Sequence, residues 1–449
     1  MSTSDRMNKR EFNQAMASLS MIGLRSLKGT AGLMGALELA TPVASGAQLS
    51  PGLSKAHVVV VGAGFAGCAV AKTLRVLSQG ALRVTLIEPQ ANFLMLALSN
   101  LVLGGSEPYA AFTQPLAPWV KRHGIEWIQD RALGVNTTRK IVGLAQGAQV
   151  PYDKLVLCPG IELMLGAVEG LEGALETSRI VQAWGHDAEL PILQRQLQDM
   201  PNGGTFAICI PTSPYKCPPG PYERASQVAH YFSKNKPLSR VLVLDANPDI
   251  QSNAILFKRY WAEHYPRTIE YRPDHLVTGV DAHSLTLSFE VQDDLTVQVA
   301  NVLPSMRAQR IAREGGMANV NDKWCEVNFL DFESRVQPDV HILGDAIQGA
   351  ALMPKSGHMA HAQGQVLARA LLSILNNQAP DTHAQLSNFC YSFLGEQEAL
   401  HLESLHHYDP AAKTYQLIPG SNPASPAPSV AQGLAAKQWA QGMWQNLLA

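Results

Sequence analysis

An α/β fold is predicted by three features of the 449-residue sequence. A continuous apolar run from His57 to Val61 precedes closely spaced glycines and then the helical pattern "FAGCAVAKTL". "LRVTLIEP" indicates a second strand, and "YDKLVLC", "TFAICIP", "SRVLVLDA" and "DVHIL" indicate further buried strands. Continuous apolar strands separated by helical segments are typical of parallel sheets covered on both faces. We therefore expect two Rossmann-like three-layer domains, followed by a C-terminal α+β interface domain.

The order of these segments predicts the domain boundaries. Residues 51–165 and 291–375 are expected to form one discontinuous domain, and residues 166–290 to form the second. The C-terminal domain is expected to span residues 376–449. It contains a Pro/Ser-rich linker at 419–429 and a final apolar helix with two tryptophans.

Residues 1–50 are expected to be an export signal. "MNKREF" is basic and carries Lys9-Arg10 in place of the usual twin arginine, and "SGA" at 45–47 offers small residues for cleavage. Two basic residues interrupt the apolar stretch between them, so a plain N-terminal extension is the alternative. We expect a periplasmic protein whose mature chain begins near Gln48.

The composition excludes several classes of protein. About 46% of the residues are hydrophobic and 16% are charged, and the net charge of −2 argues against nucleic-acid and polybasic membrane binding. No uninterrupted apolar run is long enough for an integral membrane span. The six cysteines form no CxxC or CxxCH motif, so we expect neither a disulfide scaffold nor a haem attached to this chain. The histidines show no zinc-like spacing, and no metal site is predicted.

The first strand, the glycines and the second strand together predict a dinucleotide site. Gly62, Gly64 and Gly67 form a GxGxxG motif between a strand and a helix. The first glycine permits the tight turn, the second lets the backbone approach a pyrophosphate, and the third packs helix on strand. Glu88 ends the second strand, where a carboxylate can accept a hydrogen bond from the ribose.

Three later signals indicate which dinucleotide binds. A strand ends in the turn Pro159-Gly160, and a later strand ends in a glycine followed by Asp345. This order is typical of flavin disulfide reductase-type proteins, in which that aspartate bonds the ribityl chain of FAD. A helix from about Ser356 would direct its N-terminus at the flavin, and with Lys355 it would favour the anionic reduced form. We therefore expect FAD.

The turn after "TFAICIP" carries prolines where a second nucleotide site would carry glycines. It reads "TSPYKCPPGPYERA". Proline has no amide hydrogen to offer a phosphate, and its ring blocks close approach. The segment is therefore poorly suited to NADH or NADPH, and we expect a different electron donor. Cys217, which the neighbouring prolines hold stiffly, is the candidate reagent.

Several sequence blocks from about His57 to the C-terminus carry a resemblance to a known family. They are "VTLIEP", "LSNLVLGG", "YDKLVLCPGIEL", "CPPGPYERASQVAHYF", "GDA", "MPKSGH" and "MWQNLL". In these blocks the chain resembles the flavoprotein subunit of flavocytochrome c sulfide dehydrogenase. The related sulfide:quinone oxidoreductases share the fold but match the blocks less well. In the resembled family a redox-active disulfide lies against the flavin, and its two positions are Cys217 and Cys325 here.

The resemblance implies a mechanism. Hydrosulfide attacks the Cys217–Cys325 disulfide, thiol–disulfide exchange yields a persulfide and a thiolate, and electrons pass through FAD to a c-type cytochrome subunit. Glu223 is a candidate for proton transfer, with an ordinary salt-bridged helix residue as the alternative. Trp444 is expected to pack near the flavin. Residues 376–418 are expected to form the module on which the haem subunit docks.

The other four cysteines, Cys68, Cys158, Cys209 and Cys390, lack such a setting. The first three lie in apolar segments and are expected to be small core residues. No chemistry is assigned to Cys390 by the sequence.

One departure from the family concerns attachment of the cofactor. Members with covalent flavin carry a cysteine four residues before the asparagine of "LSN", and this position is Leu96 here. Leucine cannot form a thioether, so we expect FAD to be held non-covalently.

Three classes of function are compatible with the sequence. The first is a sulfide dehydrogenase flavoprotein that donates electrons to a periplasmic cytochrome c, and the resemblance favours it. The second is a membrane-associated sulfide:quinone oxidoreductase, for which the last helix would be a surface anchor. The third is an accessory flavoprotein of sulfur oxidation. The physiological electron acceptor is left open by the sequence.

Overall fold

The computed structural model describes residues 53–185 and 189–449. The expected export signal in residues 1–50 lies outside the described residues, so this expectation stays a prediction. No helix in the described ranges is long and apolar enough to cross a membrane.

The helices of the described ranges are α1 Phe65–Leu77, α2 Asn100–Leu103, α3 Leu116–His123, α4 Leu171–Glu176, α5 Glu189–Asp199, α6 Gly220–Asn235, α7 Ala254–His264, α8 Arg310–Glu314, α9 Gly357–Leu375 and α10 Val430–Leu448. The strands are β1 His57–Val61, β2 Arg83–Ile87, β3 Asn92–Leu94, β4 Thr113–Pro115, β5 Glu126–Ile128, β6 Ala132–Asn136, β7 Ile141–Leu144, β8 Gln149–Pro151, β9 Lys154–Leu157, β10 Ile161–Leu163, β11 Thr205–Ile210, β12 Arg240–Asp245, β13 Ile269–Arg272, β14 Val277–Asp281, β15 Thr286–Phe289, β16 Leu295–Thr296, β17 Val299–Val302, β18 Met306–Ala308, β19 Val327–Asn328, β20 Glu333–Ser334, β21 Val340–Ile342, β22 Gln385–Phe393, β23 Ala399–Asp409 and β24 Thr414–Leu417.

A seven-stranded sheet in the order β19-β20-β21-β9-β1-β2-β5 carries the candidate cofactor residues. Its five strands from β21 to β5 are parallel, and β1 is buried along its whole length. A parallel strand buried on both faces needs a continuous apolar run, and "HVVVV" supplies one. Helices α1 and α9 lie against each other, with their N-termini at the carboxyl ends of β1 and β21. The sheet therefore brings together segments from both ends of the sequence.

A second parallel sheet, in the order β13-β12-β11-β17, positions Cys217. The proline-rich segment joins β11 to α6, and α6 is buried from Gly220 to Ala229. Proline at the start of a helix is tolerated because the first amide hydrogens have no partner within the helix. The proline-rich segment is unsuited to phosphate, and it leads directly into α6, whose first ten residues are buried.

The C-terminal segment forms the antiparallel sheet β22-β23-β24, followed by α10. Strand β22 packs on α9 and also contacts α6, so it lies beside both parallel-sheet regions. Smaller antiparallel units are formed by β3-β4, β6-β7-β8, β10-β18 and β14-β15-β16. The expected α/β class with parallel sheets is confirmed, while the domain boundaries stay a prediction.

Arg224 of α6 links three parts of the interior. The side chain is 1% exposed. Its Nε donates to Asn100 Oδ1 at 3.1 Å, and its Nη1 donates to Asn301 Oδ1 at 2.8 Å. Further bonds go to the carbonyl groups of Gln182 and Ala183. Moving the Arg224 charge out of water costs several kcal/mol unless hydrogen bonds replace its hydration. The bonds to Asn100 and Asn301 must therefore be kept, and they fix α6 relative to α2 and β17.

Candidate functional site

The glycine turn after β1 has the geometry of a phosphate-binding turn. Gly62 has φ +97°, and a Cβ there would lie 2.4 Å from the carbonyl oxygen of Cys158. A Cβ on Gly67 would lie 1.8 Å from the carbonyl oxygen of Gly62, so only glycine lets α1 begin this close to the turn. Beside Gly64, in contrast, no atom lies within 4 Å. The open position is the one at which a pyrophosphate must approach the backbone.

Glu88 is held next to this turn by its own hydrogen bonds. Its carboxylate accepts from the amide of Ala63 at 2.8 Å and from the amide of Gln90 at 2.8 Å. Each oxygen keeps a further lone pair, because each accepts only one of these bonds. Glu88 can therefore bind the ribose of a dinucleotide lying over Gly64.

The Pro159-Gly160 turn lies directly beside the glycine turn. The amide of Cys158 donates to the carbonyl of Val61 at 2.9 Å, which pairs the ends of β9 and β1. Gly160 has φ +69°, and no atom lies within 4 Å of a Cβ built there. The structure thus brings Pro159 and Gly160 to the same edge of the sheet as Gly62.

A cleft lies between Gly344 and the start of α9, where the sequence predicts the ribityl chain of FAD. It is lined by Asp345, Lys355, Ser356, Met359 and Gln363, among others. Asp345 Oδ1 is buried and has no hydrogen-bond partner within the protein. A buried carboxylate oxygen without a partner is costly, and a ribityl hydroxyl would satisfy it. The N-terminus of α9, capped by the Ser356 hydroxyl, borders the same cleft.

Trp444 of α10 lies at the end of an aromatic row beside this region. Its ring meets Phe93 edge to face with centroids 5.5 Å apart, and Phe93 meets Phe65 in the same way at 5.3 Å. Phe65 is the first residue of α1 and packs on Gly357, the first residue of α9. The distance from Trp444 to the flavin stays a prediction.

Leu96 begins a short 3₁₀ turn, Leu96–Leu98, two residues after β3. Its side chain is half-buried and packs against the hydrophobic core. An aliphatic side chain here offers no sulfur to a flavin methyl group.

Cys217 has a strained backbone. Its φ is +55°, a left-handed value that residues with a Cβ rarely adopt. Its amide donates to the carbonyl of Lys355 at 2.8 Å, and its carbonyl accepts from the amide of Gly220 at 2.9 Å. A Cβ on Gly220 would lie 2.9 Å from Cys217 Sγ, so glycine makes room for the thiol. Burial raises the pKa of the Cys217 thiol, and nearby Cys390 and Glu223 raise it further.

Cys325 lies on the other side of Lys355. It is fully buried, its amide donates to the carbonyl of Ala346 at 3.0 Å, and its carbonyl accepts from Gln348 at 2.8 Å. Burial raises the pKa of its thiol to about 12, while the charge of Lys355 acts in the opposite direction. Both Cys217 and Cys325 are free thiols in this structure, so their disulfide stays a prediction.

Lys355 connects the two cysteine segments with the cleft. Its ammonium donates to the carbonyls of Asp345 at 2.9 Å and Ile347 at 2.7 Å. The same ammonium lies 3.7 Å from the ring centroid of Trp324, the residue before Cys325. Burial lowers the pKa of Lys355 to about 8, so the group is mostly charged at neutral pH. It is the cation best placed to stabilise a Cys325 thiolate.

Glu223 lies in the first turn of α6, six residues after Cys217, and is not an exposed ion-pair residue. It is 2% exposed, and burial raises the pKa of its carboxyl to about 7. Its two oxygens accept from Asn100 Nδ2 at 2.9 Å and from the amide of Phe393 at 2.8 Å. A carboxyl that ionises near neutral pH can exchange protons during turnover.

Two residues near Cys217 were not assigned a role by the sequence. Asn100 bonds Glu223 and Arg224 and donates to the carbonyl of Gly220 at 3.2 Å. Cys390 lies in β22, which contacts α6, and the expectation that it lacks a redox setting stays a prediction. Spacing could not reveal either position, since both residues lie beside segments that are distant in the sequence. The only sequence signal at Asn100 is its place in the block "LSN".

Within residues 53–185 and 189–449, no group of three or more His, Cys, Asp or Glu residues could hold a metal ion. The candidate site in this part of the chain therefore consists of thiols, a carboxyl group, an ammonium and the dinucleotide cleft.

Three family models match parts of the chain. Residues 191–304 match the central region of the flavocytochrome c sulfide dehydrogenase flavoprotein chain, and residues 382–448 match its flavin-binding region. Residues 56–190 match the pyridine nucleotide-disulphide oxidoreductase family.

The similar proteins include two that are named for the oxidation of sulfide by quinone. The mitochondrial sulfide:quinone oxidoreductase of Mus musculus is 23% identical over 77% of this chain and 78% of its own length. The sulfide-quinone reductase of Aquifex aeolicus is 25% identical over 76% of this chain and 81% of its own length.

Solved structures support the fold. The sulfide:quinone oxidoreductase of Aquifex aeolicus superposes with a TM-score of 0.72 at 20% identity, covering 88% of this chain and 92% of that one. An NAD-dependent persulfide reductase from A. fulgidus superposes with a TM-score of 0.59 at 15% identity, covering 78% and 71% of the two chains. The chain therefore resembles the flavocytochrome c sulfide dehydrogenase flavoprotein chains and the sulfide:quinone oxidoreductases in sequence, and it shares the fold of the latter.

Proposed function

We propose that this protein is an FAD-dependent sulfide dehydrogenase subunit that passes electrons to a c-type cytochrome subunit. The observation that carries the proposal is the position of Lys355, whose carbonyl holds Cys217 and whose ammonium lies over the residue before Cys325. Both cysteine segments thus adjoin the cleft lined by Asp345 and Lys355. The flavocytochrome c family matches and the sulfide-oxidising relatives support the same substrate.

The first step is attack of hydrosulfide on Cys217 within a Cys217–Cys325 disulfide. The new bond joins the substrate sulfur to Cys217 Sγ, the bond between the cysteines breaks, and Cys325 leaves as a thiolate. Cys217 is only partly buried while Cys325 is fully buried, so Cys217 is the more accessible of the two to the substrate. The charged Lys355 stabilises the departing Cys325 thiolate, which burial would otherwise disfavour.

A second hydrosulfide can then attack the outer sulfur of the Cys217 persulfide. A sulfur–sulfur product leaves, and Cys217 and Cys325 remain as the reduced pair. When bound in the cleft, FAD would supply the two-electron acceptor that these residues lack, so that Cys217 and Cys325 could re-form their disulfide. Glu223 accepts the proton that hydrogen sulfide loses on becoming the nucleophile.

The alternative acceptor is a quinone, as in the named function of the relatives from Mus musculus and Aquifex aeolicus. The flavocytochrome c family matches favour a cytochrome. An accessory flavoprotein of sulfur oxidation would reduce neither acceptor at a useful rate. We further propose that the protein acts in the periplasm, where a c-type cytochrome would meet it.

The acceptor is tested with purified holoprotein and sulfide. We expect rapid reduction of cytochrome c and slow reduction of a soluble quinone, both followed spectroscopically with matched sulfide concentrations. Faster reduction of the quinone would replace the cytochrome assignment by the quinone one. Reduction of neither acceptor, despite bleaching of the flavin, would favour the accessory function.

Replacing Cys217 by serine is expected to abolish flavin bleaching by sulfide, because no disulfide remains to be attacked. The yellow FAD spectrum of the purified variant should be unchanged, since the cleft contacts do not involve this thiol. Cys209→Ala is the matched control, because Cys209 is buried in β11 and takes no part in the mechanism. Bleaching of Cys217→Ser at the wild-type rate would contradict the mechanism.

Glu223→Gln should slow sulfide-dependent flavin reduction by about 10²-fold at pH 8, since a general base typically contributes at least that much. The wild-type carboxyl has a pKa of about 7, so it is charged and active above that pH and protonated below it. Hydrogen sulfide also ionises near neutral pH, so the readout is the wild-type rate divided by the variant rate at each pH. This ratio should rise as the pH passes through about 7.

Glu162→Gln provides the control for that ratio, because Glu162 pairs with Arg307 and Arg313 outside the site. Its ratio to wild type should not vary with pH. A constant ratio for Glu223→Gln as well would assign Glu223 a purely structural role.

FAD is proposed to be held without a covalent bond. Acid denaturation should release all the yellow colour into the supernatant, because the contacts at the glycine turn, Glu88 and Asp345 do not survive unfolding. Leu96→Cys is the complementary variant and should retain some flavin on the precipitated chain. Flavin that stays with the precipitated wild-type chain would show that another cysteine reaches the cofactor.

A further inference from the structure

Cys390 lies on the face of β22 that is turned towards the interior. Side chains two residues apart in a strand point the same way, and Asn388 and Ser392 on this face are each 1% exposed. Cys390 between them is partly exposed, so it is covered less completely than these two neighbours.

A chain of polar contacts leads from Cys390 to Cys217. Asn388 Nδ2 donates to Cys390 Sγ at 3.5 Å, and Asn388 Oδ1 accepts from the Ser356 hydroxyl at 2.5 Å. Ser356 follows Lys355, whose carbonyl accepts the amide hydrogen of Cys217 at 2.8 Å. Strand β22 and the Cys217 segment thus meet at the start of α9.

Glu223 completes a cluster with the two thiols. Its carboxylate accepts from the amide of Phe393, three residues beyond Cys390 in β22. A negative charge on Cys390 or Glu223 raises the pKa of Cys217, and a charge on Glu223 also raises the pKa of Cys390. The hydrogen bonds made by Ser356, the Lys355 carbonyl and the Phe393 amide bring the three groups into one region of the interior. Cys325 is influenced by Lys355 instead.

We propose that Cys390 is a sulfur-accepting residue that removes the outer sulfur from the Cys217 persulfide. This inference rests on the proposed sulfide dehydrogenase function. The Cys390 thiol gives its proton to the Glu223 carboxylate, and its sulfur bonds to the outer sulfur of Cys217–S–SH. The bond between that sulfur and Cys217 breaks, Cys217 leaves as a thiolate, and a Cys390 persulfide remains. No electrons are gained or lost overall, since this is an exchange between a thiol and a persulfide.

The transfer separates the path of sulfur from the path of electrons. Once the outer sulfur has moved to Cys390, Cys217 is free to re-form its disulfide with Cys325 beside the flavin cleft. A second hydrosulfide then removes the sulfur from Cys390 rather than from Cys217. The enzyme can thus begin a second reduction of FAD before the first sulfur has left.

The test locates the extra sulfur by mass spectrometry. FAD-loaded protein is mixed with one equivalent of sulfide without oxygen, quenched at intervals with an alkylating reagent and cut after lysine and arginine. Cys217 and Cys390 then lie on separate peptides, 217–224 and 370–413. We expect the extra sulfur on the first peptide at early times and on the second peptide later. In Cys390→Ser it should stay on peptide 217–224.

The outcomes distinguish this inference from the proposed function. Flavin bleaching with the extra sulfur confined to peptide 217–224 in the wild type would overturn the role of Cys390 and leave sulfide oxidation intact. Absence of both bleaching and persulfide would overturn both. Cys209→Ala is the control for loss of a buried thiol and should show the wild-type transfer. Cys390→Ser should also take up a second equivalent of sulfide several-fold more slowly than Cys209→Ala.

Discussion

The candidate site depends on the placement of one buried lysine. The carbonyl of Lys355 fixes the backbone of Cys217, and its ammonium bonds the carbonyls of Asp345 and Ile347 and covers the Trp324 ring. A buried ammonium costs several kcal/mol unless hydrogen bonds and π contacts replace its hydration. The loop between β21 and α9 must therefore keep the conformation that satisfies it. The same conformation leaves Asp345 Oδ1 facing the cofactor cleft without a partner.

Two opposing effects act on Cys217. It lies just before α6, and the N-terminus of a helix favours a thiolate. Burial raises the pKa of the thiol, and the neighbouring acidic groups act in the same direction. The effect of burial on the pKa of Cys217 is larger than that of the helix N-terminus. Reduced Cys217 is therefore a thiol and is not a strong nucleophile on its own. This suits a cysteine that is attacked as part of a disulfide rather than one that attacks.

Buried polar groups around α6 explain why the proline-rich segment tolerates a strained residue. Arg224 and Glu223 are both satisfied by partners on α2, β17 and β22, and Asn100 bonds to both of them. A left-handed conformation at a residue with a Cβ costs about 1–3 kcal/mol and persists only where its surroundings dictate it. The network around α6 supplies that constraint. The same network holds Glu223 and β22 near the Cys217 segment. The proposed proton and sulfur transfers would therefore take place in one region.

The dinucleotide half of the site could be predicted from the sequence. Gly62, Gly64, Gly67 and Glu88 lie within a single strand–helix–strand unit, so their spacing alone specifies their geometry. Asp345 and the helix after Lys355 were predictable for the same reason, since each follows the end of a recognisable buried strand. Cys217 and Cys325 were found through the resemblance, whereas their surroundings were not.

The thiol environment was decided only by the tertiary structure. Cys390 comes from an antiparallel strand whose pattern indicates nothing about its partners, and Asn100 comes from a four-residue helix. Sequence periodicity reports which face of an element is buried, whereas it does not report which distant element covers that face. The raised pKa of Glu223 and the contact of β22 with α6 both arise from such long-range packing. They follow from burial and charge at short distance, which exist only once the chain has folded.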